Sequence, residues 1–335
     1  MDVDAFAGAH RAEWDRLAEL VRRAGSLRGH DVDELVTLYQ RTATHLSMLR
    51  SAAPDPALVG RLSTLVARAR AAVTGSHNPA WREVALFFAS RFPAAVYRSW
   101  RWWVPVAVGF VLVSAAIGAW VAGSDEVRSA IAAPEEIRQL TRPGGDFESY
   151  YSTGPAASFA AGVWTNNAWV AAGALMLGVL LGLPVLAILW FNAVSVGVNA
   201  GLMADAGRLD VFFGLIAPHG LLELTAVFVA AGTGLKLGWT VIDPGPHRRA
   251  EALAVAGRSA VGIALGLAAV LLVTGVIEAF VTPSGLPTAA RVGIGVAADA
   301  AFLCYVFVLG RRAARSGETG DLDAATAGDT RPTTA

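Results

Sequence analysis

Hydrophobic and polar positions divide the chain into an amphipathic first part and a largely apolar second part. In residues 1–100, apolar side chains such as Trp14, Leu17 and Leu20 recur at the spacing of one helix face. From residue 101 to 312, long apolar runs alternate with shorter polar stretches. The pattern predicts an all-α polytopic membrane protein, with a cytoplasmic helical bundle over 1–100 and a membrane domain over 101–312.

Prolines mark the helix boundaries of the predicted bundle. Pro54 and Pro56 precede a third helix over 57–74, and Pro79 starts a fourth over 79–91. Proline is tolerated in the first turn of a helix and disfavours continuation of the helix before it. We therefore expect four amphipathic helices, which suit a small bundle packed beneath a membrane.

About six stretches are apolar enough to cross a bilayer, whose hydrocarbon core is roughly 30 Å thick. They cover 103–121, 168 to about 184, about 184 to 203, 211–239, 259–280 and 293–310. A bend at Pro184, or between Trp190 and Asn192, must separate the second from the third, because a run of about 36 residues is too long for one crossing. We expect a short or broken third span within 184–210, since an even number of spans fits the charges.

Arginines orient these spans by the positive-inside rule. With six spans, three arginine groups fall on one side of the membrane: Arg91, Arg98 and Arg101; Arg248, Arg249 and Arg258; and Arg311, Arg312 and Arg315. Both termini are then cytoplasmic and the polar segment 123–165 is external. The small, polar residues 313–335 predict a disordered cytoplasmic tail.

Composition agrees with a membrane protein and excludes several classes of function. Hydrophobic residues make up 54% of the 335 residues, charged residues only 16%, and the mean hydropathy is +0.49. A net charge of zero argues against a basic nucleic-acid binder. The single cysteine, Cys304, excludes an internal disulfide framework and any cysteine-cluster metal site. No hydrophobic run lies near Met1, so we expect no cleavable signal peptide.

A set of residues inside the predicted fourth span is a candidate functional motif, because polar side chains are energetically unfavourable within a bilayer. It consists of Pro218, His219, Gly220 and Glu223. His219 and Glu223 are four residues apart and so share a helix face. Pro218 leaves a carbonyl without its helical partner, and Gly220 permits close approach of a backbone or ligand. Two interpretations stay open: a proton, ion or substrate site near the bilayer midplane, or an interhelical hydrogen bond that fixes packing.

Other polar residues of the apolar runs are supporting candidates. They are Asn166, Asn167, Asn192, Asn199, Glu278 and Asp299. The predicted topology would allow Asn199 and Asp299 to meet His219 and Glu223. The simpler expectations are that Glu278 is hydrated at the outer interface and that Asn166 and Asn167 cap the start of the second span.

Signatures of catalysis are missing from the sequence. A catalytic zinc needs about three protein ligands, whereas His219 and Glu223 supply two and no HExxH motif occurs. There is also no GxSxG, no Walker A loop and no GxGxxG after a strand. We therefore expect no metal, no cofactor and no enzymatic activity, and Cys304 is expected to be inert packing.

Glycines four residues apart predict close helix packing within the membrane domain. The pairs are Gly178/Gly182, Gly197/Gly201, Gly234/Gly238 and Gly262/Gly266. They suit a tight bundle and are also compatible with a homodimer.

The motif at Pro218 resembles a known family signature. Pro218-His219-Gly220 with Glu223-Leu224, followed by the glycine-rich segment 230–238, resembles the stage II sporulation protein M family. Asn166-Asn167 and the region of Asn192 are similar to that pattern, although Asn192-Ala193 stands where the family has Asn-Gly. Segments 14–17, 35–41 and 91–93 resemble the longer, actinobacterial-type members, so the resemblance covers roughly 10–310.

The resemblance implies a scaffold of the bacterial cytoplasmic membrane. The family's named member helps to hold a membrane complex with peptidoglycan-degrading partners. The longer members are often encoded near an RDD-type membrane protein and a MoxR-type AAA ATPase, which suggests partners for this chain besides the lipid bilayer. The leading hypothesis is thus a non-catalytic scaffold of a cell-envelope complex. The alternatives are a transporter or channel that uses His219 and Glu223, and an intramembrane enzyme with His219 as general base.

Overall fold

The computed structural model of the protein describes residues 3–24, 27–51, 56–73, 80–150 and 156–321. Every regular element in these ranges is helical, which confirms the all-α prediction. The chain divides into two compact units, Met1–Val84 and Ala85–Ala335. The division lies earlier than the predicted boundary after residue 100.

The first unit packs three helices on one another: α1 (Val3–Arg22), α2 (His30–Ser51) and α3 (Pro56–Val73). Their inward faces carry fully buried leucines such as Leu17 and Leu49. Each such side chain contributes about 1.5–3 kcal/mol by leaving water. These helices obey the predicted amphipathic spacing.

The predicted fourth helix starts where expected but differs in extent. The chain is helical in α4 (Ala80–Leu86), passes through a π-helical turn (Phe87–Arg91) and continues as α5 (Phe92–Arg98). From Ala85 onward it belongs to the second unit. The predicted helix over 79–91 is thus helical from Ala80 to Arg91, but its assignment to the first bundle was wrong from Ala85 onward. The next residue, Phe92, is 1% exposed in the core of the second unit, where it packs against Phe302.

The second unit is built from long apolar helices. They are α6 (Trp100–Ala122), α10 (Ala156–Leu177), α11 (Leu183–Asp205), α12 (Leu209–Ile242), α13 (Arg249–Phe280) and α14 (Thr288–Cys304), the last extended by a π-helical turn (Tyr305–Gly310) and α15 (Arg311–Arg315). Five of these regions, all but α10, are long and apolar enough to cross a membrane. In α10 the apolar stretch found is the shorter Asn167–Leu177. The protein is a multi-pass membrane protein, and a sixth crossing by α10 stays a prediction.

The bend between the second and third predicted spans lies beside Pro184. Helix α10 ends at Leu177, and the turn that follows places Leu181 and Gly182 in the left-handed backbone region, at φ 58° and 74°. Pro184 then occupies the first turn of α11. The alternative bend near Asn192 is absent, because α11 runs unbroken for 23 residues. The expectation of a short or broken third span was wrong.

Three of the four predicted glycine pairs bring backbones of different helices together, whereas Gly266 of the fourth pair meets the Phe92 ring of α5. A Cβ atom on Gly238 of α12 would lie 2.6 Å from the amide nitrogen of Gly182 and 2.7 Å from the carbonyl oxygen of Gly178. Gly197 and Gly201 of α11 lie equally close to α6, facing carbonyl oxygens of Ser114 and Gly118. These pairs pack within one chain, so a homodimer needs some other surface.

Short helices cover one end of the second unit. They are α7 (Asp125–Ile131), α8 (Pro134–Thr141) and α9 (Asp146–Ser149), within the segment predicted to be external. Arg208, between α11 and α12, donates to the Thr141 carbonyl oxygen at 2.6 Å and pairs with Glu148. Arg128 pairs with Asp205 at 3.1 Å. The segment is thus tied to the α11–α12 turn.

Part of the predicted disordered tail is folded. Arg258 of α13 donates two hydrogen bonds of 2.8 Å to the Asp321 carboxylate. Arg98 donates to the carbonyl oxygen of Glu318 at 2.8 Å. The prediction of disorder was wrong for 313–321, because basic groups at this end bind the tail's acidic side chain and carbonyls. Residues 322–335 lie outside the described ranges.

Candidate functional site

Helices α12 and α13 bring a histidine and two carboxylates together. His219 and Glu223 share one face of α12, and Glu278 comes from α13 two residues before its end. One potential ligand atom from each of the three side chains lies within 4.8 Å of the others. His219 Nε2 is 3.8 Å from Glu278 Oε1. We call these three residues the His-Glu-Glu cluster.

Thr282 holds the imidazole of the cluster in place. Its Oγ1 is 3.1 Å from His219 Nδ1, and its side chain is fully buried. Thr282 follows Glu278 by four residues, so the end of α13 and the first residues after it present both groups to His219. The Thr282 carbonyl oxygen accepts a hydrogen bond of 2.6 Å from Arg291. This chain of contacts fixes the ring orientation from the side opposite Glu278.

Burial gives the cluster its electrostatic character. His219 is 6% exposed and Glu278 is 3% exposed. Glu278 Oε2 has no hydrogen-bond partner among the described residues. Two ionised carboxylates less than 5 Å apart would repel each other by about 3–4 kcal/mol at an effective dielectric constant of about 20. A proton or a cation between the two carboxylates would remove this repulsion, and burial of both charges without one is unfavourable.

A polar cleft adjoins the cluster at the end covered by α7, α8 and α9. Its volume is about 390 Å³, and its walls include Glu148, Asp210, Thr282 and Arg291. Thr282 belongs both to this cleft and to the surroundings of the cluster, because its hydroxyl contacts His219. The cluster is therefore one side chain away from an open, charged surface.

The sequence prediction of a shared site is only partly matched by this geometry. His219 and Glu223 lie on one face of α12, as expected from their spacing. Glu278, expected to be hydrated at the interface, is instead buried beside them, because α13 packs along α12. The cluster also lies near the end of α13 rather than at its midpoint, since Glu278 precedes the last residue, Phe280, by two positions.

Asp299 and Asn199 do not join the His-Glu-Glu cluster. Asp299 of α14 lines a separate apolar groove of about 580 Å³, together with Gly220 and Thr225. Asn199 of α11 donates to the carbonyl oxygen of Ser195 in its own helix at 2.8 Å. The expected meeting of Asn199 and Asp299 with His219 and Glu223 was therefore wrong.

The remaining candidate residues have neighbours within their own helices. Asn192 donates to the Ile188 carbonyl oxygen at 2.8 Å, also within α11. Asn167 lies mid-way along α10 and not at its start, so the predicted capping role was wrong. Asn166 occupies the neighbouring helical position, and its side chain lies outside the described part of the chain. The nearest atom to a Cβ on Gly220 would be Cγ2 of Ile216 in its own helix, at 2.8 Å.

Pro218 marks a close helix approach. A Cβ on Gly295 of α14 would lie 2.6 Å from the Pro218 carbonyl oxygen. Helix α12 nevertheless continues through this proline for its full 34 residues. Pro218 thus contributes to the packing of α14 directly beside the cluster.

Two residues near the cluster were missed by sequence reasoning. Thr282 could have been found by its spacing of four residues from Glu278, which repeats the spacing of His219 and Glu223. Tyr150, which directly follows α9 in the external segment, offered no pattern. Its side chain is 56% exposed, and its pKa is raised by partial desolvation and further by the negative charges of Glu278 and Glu223.

Comparison with known proteins assigns the chain to a family. No curated protein and no solved structure matches it. A family model described as a domain of unknown function (DUF8413) matches residues 4–75, which lie within the first helical unit. The model described as Stage II sporulation protein M matches residues 107–283, a range that includes the whole His-Glu-Glu cluster and covers more than half of the chain. The chain therefore belongs to the stage II sporulation protein M family.

Proposed function

We propose that the protein is a non-catalytic scaffold that assembles a cell-envelope complex at the bacterial cytoplasmic membrane. The observation that carries this proposal is the division of the chain into a separately packed helical unit and a multi-pass membrane unit. A chain built in this way can hold a partner by the first unit while the second anchors it in the bilayer. Both termini are cytoplasmic in this proposal.

Each unit offers a surface for a different kind of partner. The three-helix unit is stabilised by its own buried leucines and ion pairs, such as Arg16 with Glu34 at 2.7 Å. It would recruit a cytosolic protein, for which the family resemblance suggests a MoxR-type AAA ATPase. The membrane unit would bind other membrane proteins, including an RDD-type protein or a second copy of the chain. Helices α7, α8 and α9 would meet envelope enzymes.

Deletion of residues 2–84 tests the scaffold directly. We expect the shortened chain to insert into membranes, since Ala85–Ala335 has its own core. We also expect it to lose at least nine-tenths of the cytosolic partner that co-purifies with the intact chain, measured by quantitative mass spectrometry. Equal recovery of the cytosolic partner by the shortened and the intact chain would contradict the proposal. The full-length Asp299→Asn variant is the control, because Asp299 lies in the second unit and should leave recovery unchanged.

The buried cluster favours transport as a second candidate function. His219, Glu223 and Glu278 lie beside a polar cleft, an arrangement suited to a proton or cation binding site. This candidate replaces the scaffold if the intact protein purifies without partners and moves ions across liposome membranes in a manner that depends on Glu223.

A further inference from the structure

We propose that His219, Glu223 and Glu278 bind a divalent transition-metal ion that links α12 to α13. The set of one imidazole nitrogen and carboxylate oxygens suits Zn²⁺, Mn²⁺ or Fe²⁺, whereas Mg²⁺ and Ca²⁺ prefer oxygen ligands alone. The spacing of His219 and Glu223 supplies only two ligands, and the packing of α13 on α12 adds the third. The ion would act as a structural link, independent of whether the protein is a scaffold.

The distances in the cluster are close to those of a metal site. Ligand atoms about 2.1 Å from a tetrahedral zinc ion lie about 3.4 Å from one another. His219 Nε2 and Glu278 Oε1 are 3.8 Å apart, and the whole set lies within 4.8 Å. The terminal torsion of a glutamate is soft, so small rotations of Glu223 and Glu278 are enough to close the remaining gap.

Charge balance favours a divalent cation in this environment. Two ionised carboxylates and a neutral imidazole carry two negative charges, which a divalent ion cancels. The Glu278 side chain is 4% exposed, and its Oε2 has no hydrogen-bond partner within the described ranges. A buried carboxylate oxygen without a donor is an independent sign that a ligand is part of the site.

Thr282 and the adjoining cleft supply the surroundings that a metal site needs. A histidine that binds a metal through one ring nitrogen commonly donates its other N–H to a fixed acceptor. Thr282 Oγ1 lies 3.1 Å from Nδ1, and Nε2, which faces Glu278 at 3.8 Å, would bind the ion. The cleft that reaches Thr282 carries the carboxylates of Glu148 and Asp210 along with Arg291, and only Thr282 separates it from His219.

A second cluster in the first helical unit has only some of these properties. His10, Glu13 and His45 also place potential ligand atoms within 4.8 Å. His45 Nδ1, however, accepts a hydrogen bond of 3.3 Å from Trp14, and Glu13 pairs with Arg41 at 3.6 Å. Glu13 Oε2 is, like Glu278 Oε2, buried without a hydrogen-bond partner among the described residues. The Glu13 side chain as a whole is nevertheless 32% exposed, against 4% for Glu278, and Arg41 already balances its charge, so a metal ion is not needed there.

Metal analysis of the full-length protein in detergent tests the proposal. The protein is stripped with a chelator, reloaded separately with Zn²⁺ and with Mn²⁺, and freed of excess ion. We expect one ion per chain by mass spectrometry of the metal, and a higher unfolding temperature in its presence. Glu223→Gln and Glu278→Gln should each weaken binding at least tenfold. Thr282→Val should weaken it about 10- to 100-fold, because it removes the hydrogen bond that orients His219.

The control is Asp299→Asn, which removes a carboxylate in the same unit but outside the cluster and should bind the ion like the wild type. The proposal is overturned if the reloaded wild type holds no metal above the level of a His219→Ala variant. It is also overturned if Glu278→Gln unfolds at a higher temperature than the wild type and added metal changes the unfolding temperature of neither protein. In that case the two carboxylates would share a proton instead of a metal ion. If a variant fails to fold, the metal content of the reloaded wild type alone decides the proposal. The measurement does not depend on the co-purification of partners, so it is independent of the test of the scaffold.

Discussion

Single side chains set the pH response of the first helical unit. Arg16 of α1 donates two hydrogen bonds, of 3.0 and 2.7 Å, to the Glu34 carboxylate of α2 and thereby lowers the pKa of Glu34. The pKa of His45 is lowered below its ordinary 6.5, first by burial and then by the positive charge of His10. Both groups bind fewer protons when folded than when unfolded. Folding of this unit is therefore favoured by neutral pH over acid.

Acid should loosen α1 and α2 in two stages. Stability decreases as the pH falls below 6.5, where the unfolded form of His45 gains a proton before the folded form does. A further decrease follows when the pH falls through the lowered pKa of Glu34. Hydrogen exchange of α1 and α2 peptides in the intact protein, corrected for intrinsic rates, measures both stages. His45→Gln keeps an acceptor for Trp14 and should remove the first stage, whereas His247→Gln in the exposed loop after α12 should not. An unaltered first stage in His45→Gln would contradict the assignment.

At the scale of elements, backbone contacts at glycines decide how closely the membrane helices approach. Gly238 of α12 meets the backbone of the turn between α10 and α11, at Gly178 and Gly182. Gly232 lies similarly against the backbone of Trp103 in α6, where a Cβ on Gly232 would be only 2.5 Å from the Trp103 Cα. Backbone atoms cannot rotate away as a flexible side chain can. Helix α12 is therefore held at the centre of the second unit by residues that lack a Cβ.

Gly238→Ala should destabilise the second unit by about 1–3 kcal/mol, because the added methyl group would overlap backbone atoms. The matched control is Gly109→Ala in α6, where a Cβ meets nothing within 4 Å. Alanine favours a helix more than glycine does, so the control should be neutral or slightly stabilising. Unfolding midpoints of the two purified variants and the wild type give the comparison. Equal midpoints for Gly238→Ala and wild type would show that α12 can move away from the turn between α10 and α11 without loss of stability.

For the molecule as a whole, alternation of the long helices determines which loops share a side. The segment with α7, α8 and α9 contacts the α11–α12 turn through Arg128 and Arg208, so these two stretches lie at one end of the unit. Arginines at 248, 249 and 258 belong to the loop between α12 and α13 and the beginning of α13. From the positive-inside rule we predict that this loop is cytoplasmic and that the α7–α9 segment is external.

Cysteine labelling of intact cells tests this topology. In a Cys304→Ala background, a cysteine at the exposed position Ser129 should react with a membrane-impermeant maleimide, while one at His247 should react only after permeabilisation. At least a fivefold difference in labelling between the two sites is expected. Reaction of both cysteines from outside would disprove the alternation. Both sites lie in polar stretches outside the long helices, so their intrinsic reactivity should be similar once the cells are opened.

Much of the architecture follows from the sequence alone. Apolar runs long enough for a bilayer are visible without any knowledge of packing, because hydropathy and length are properties of a single segment. For the same reason the bend beside Pro184 was among the predicted positions, and the spacing of four residues placed His219 and Glu223 on one face. The motif around Pro218 also pointed to the family that residues 107–283 match.

Tertiary structure alone decided which helices share their polar residues. Glu278 and Thr282 are 59 and 63 positions from His219 along the chain, and only the packing of α13 on α12 brings them to the imidazole. The same packing directs Asp299 into a different groove and leaves Asn199 bonded to its own helix. Local periodicity determines the face on which a side chain lies, but it does not specify the helix that covers that face. The third member of the cluster was therefore determined by the fold.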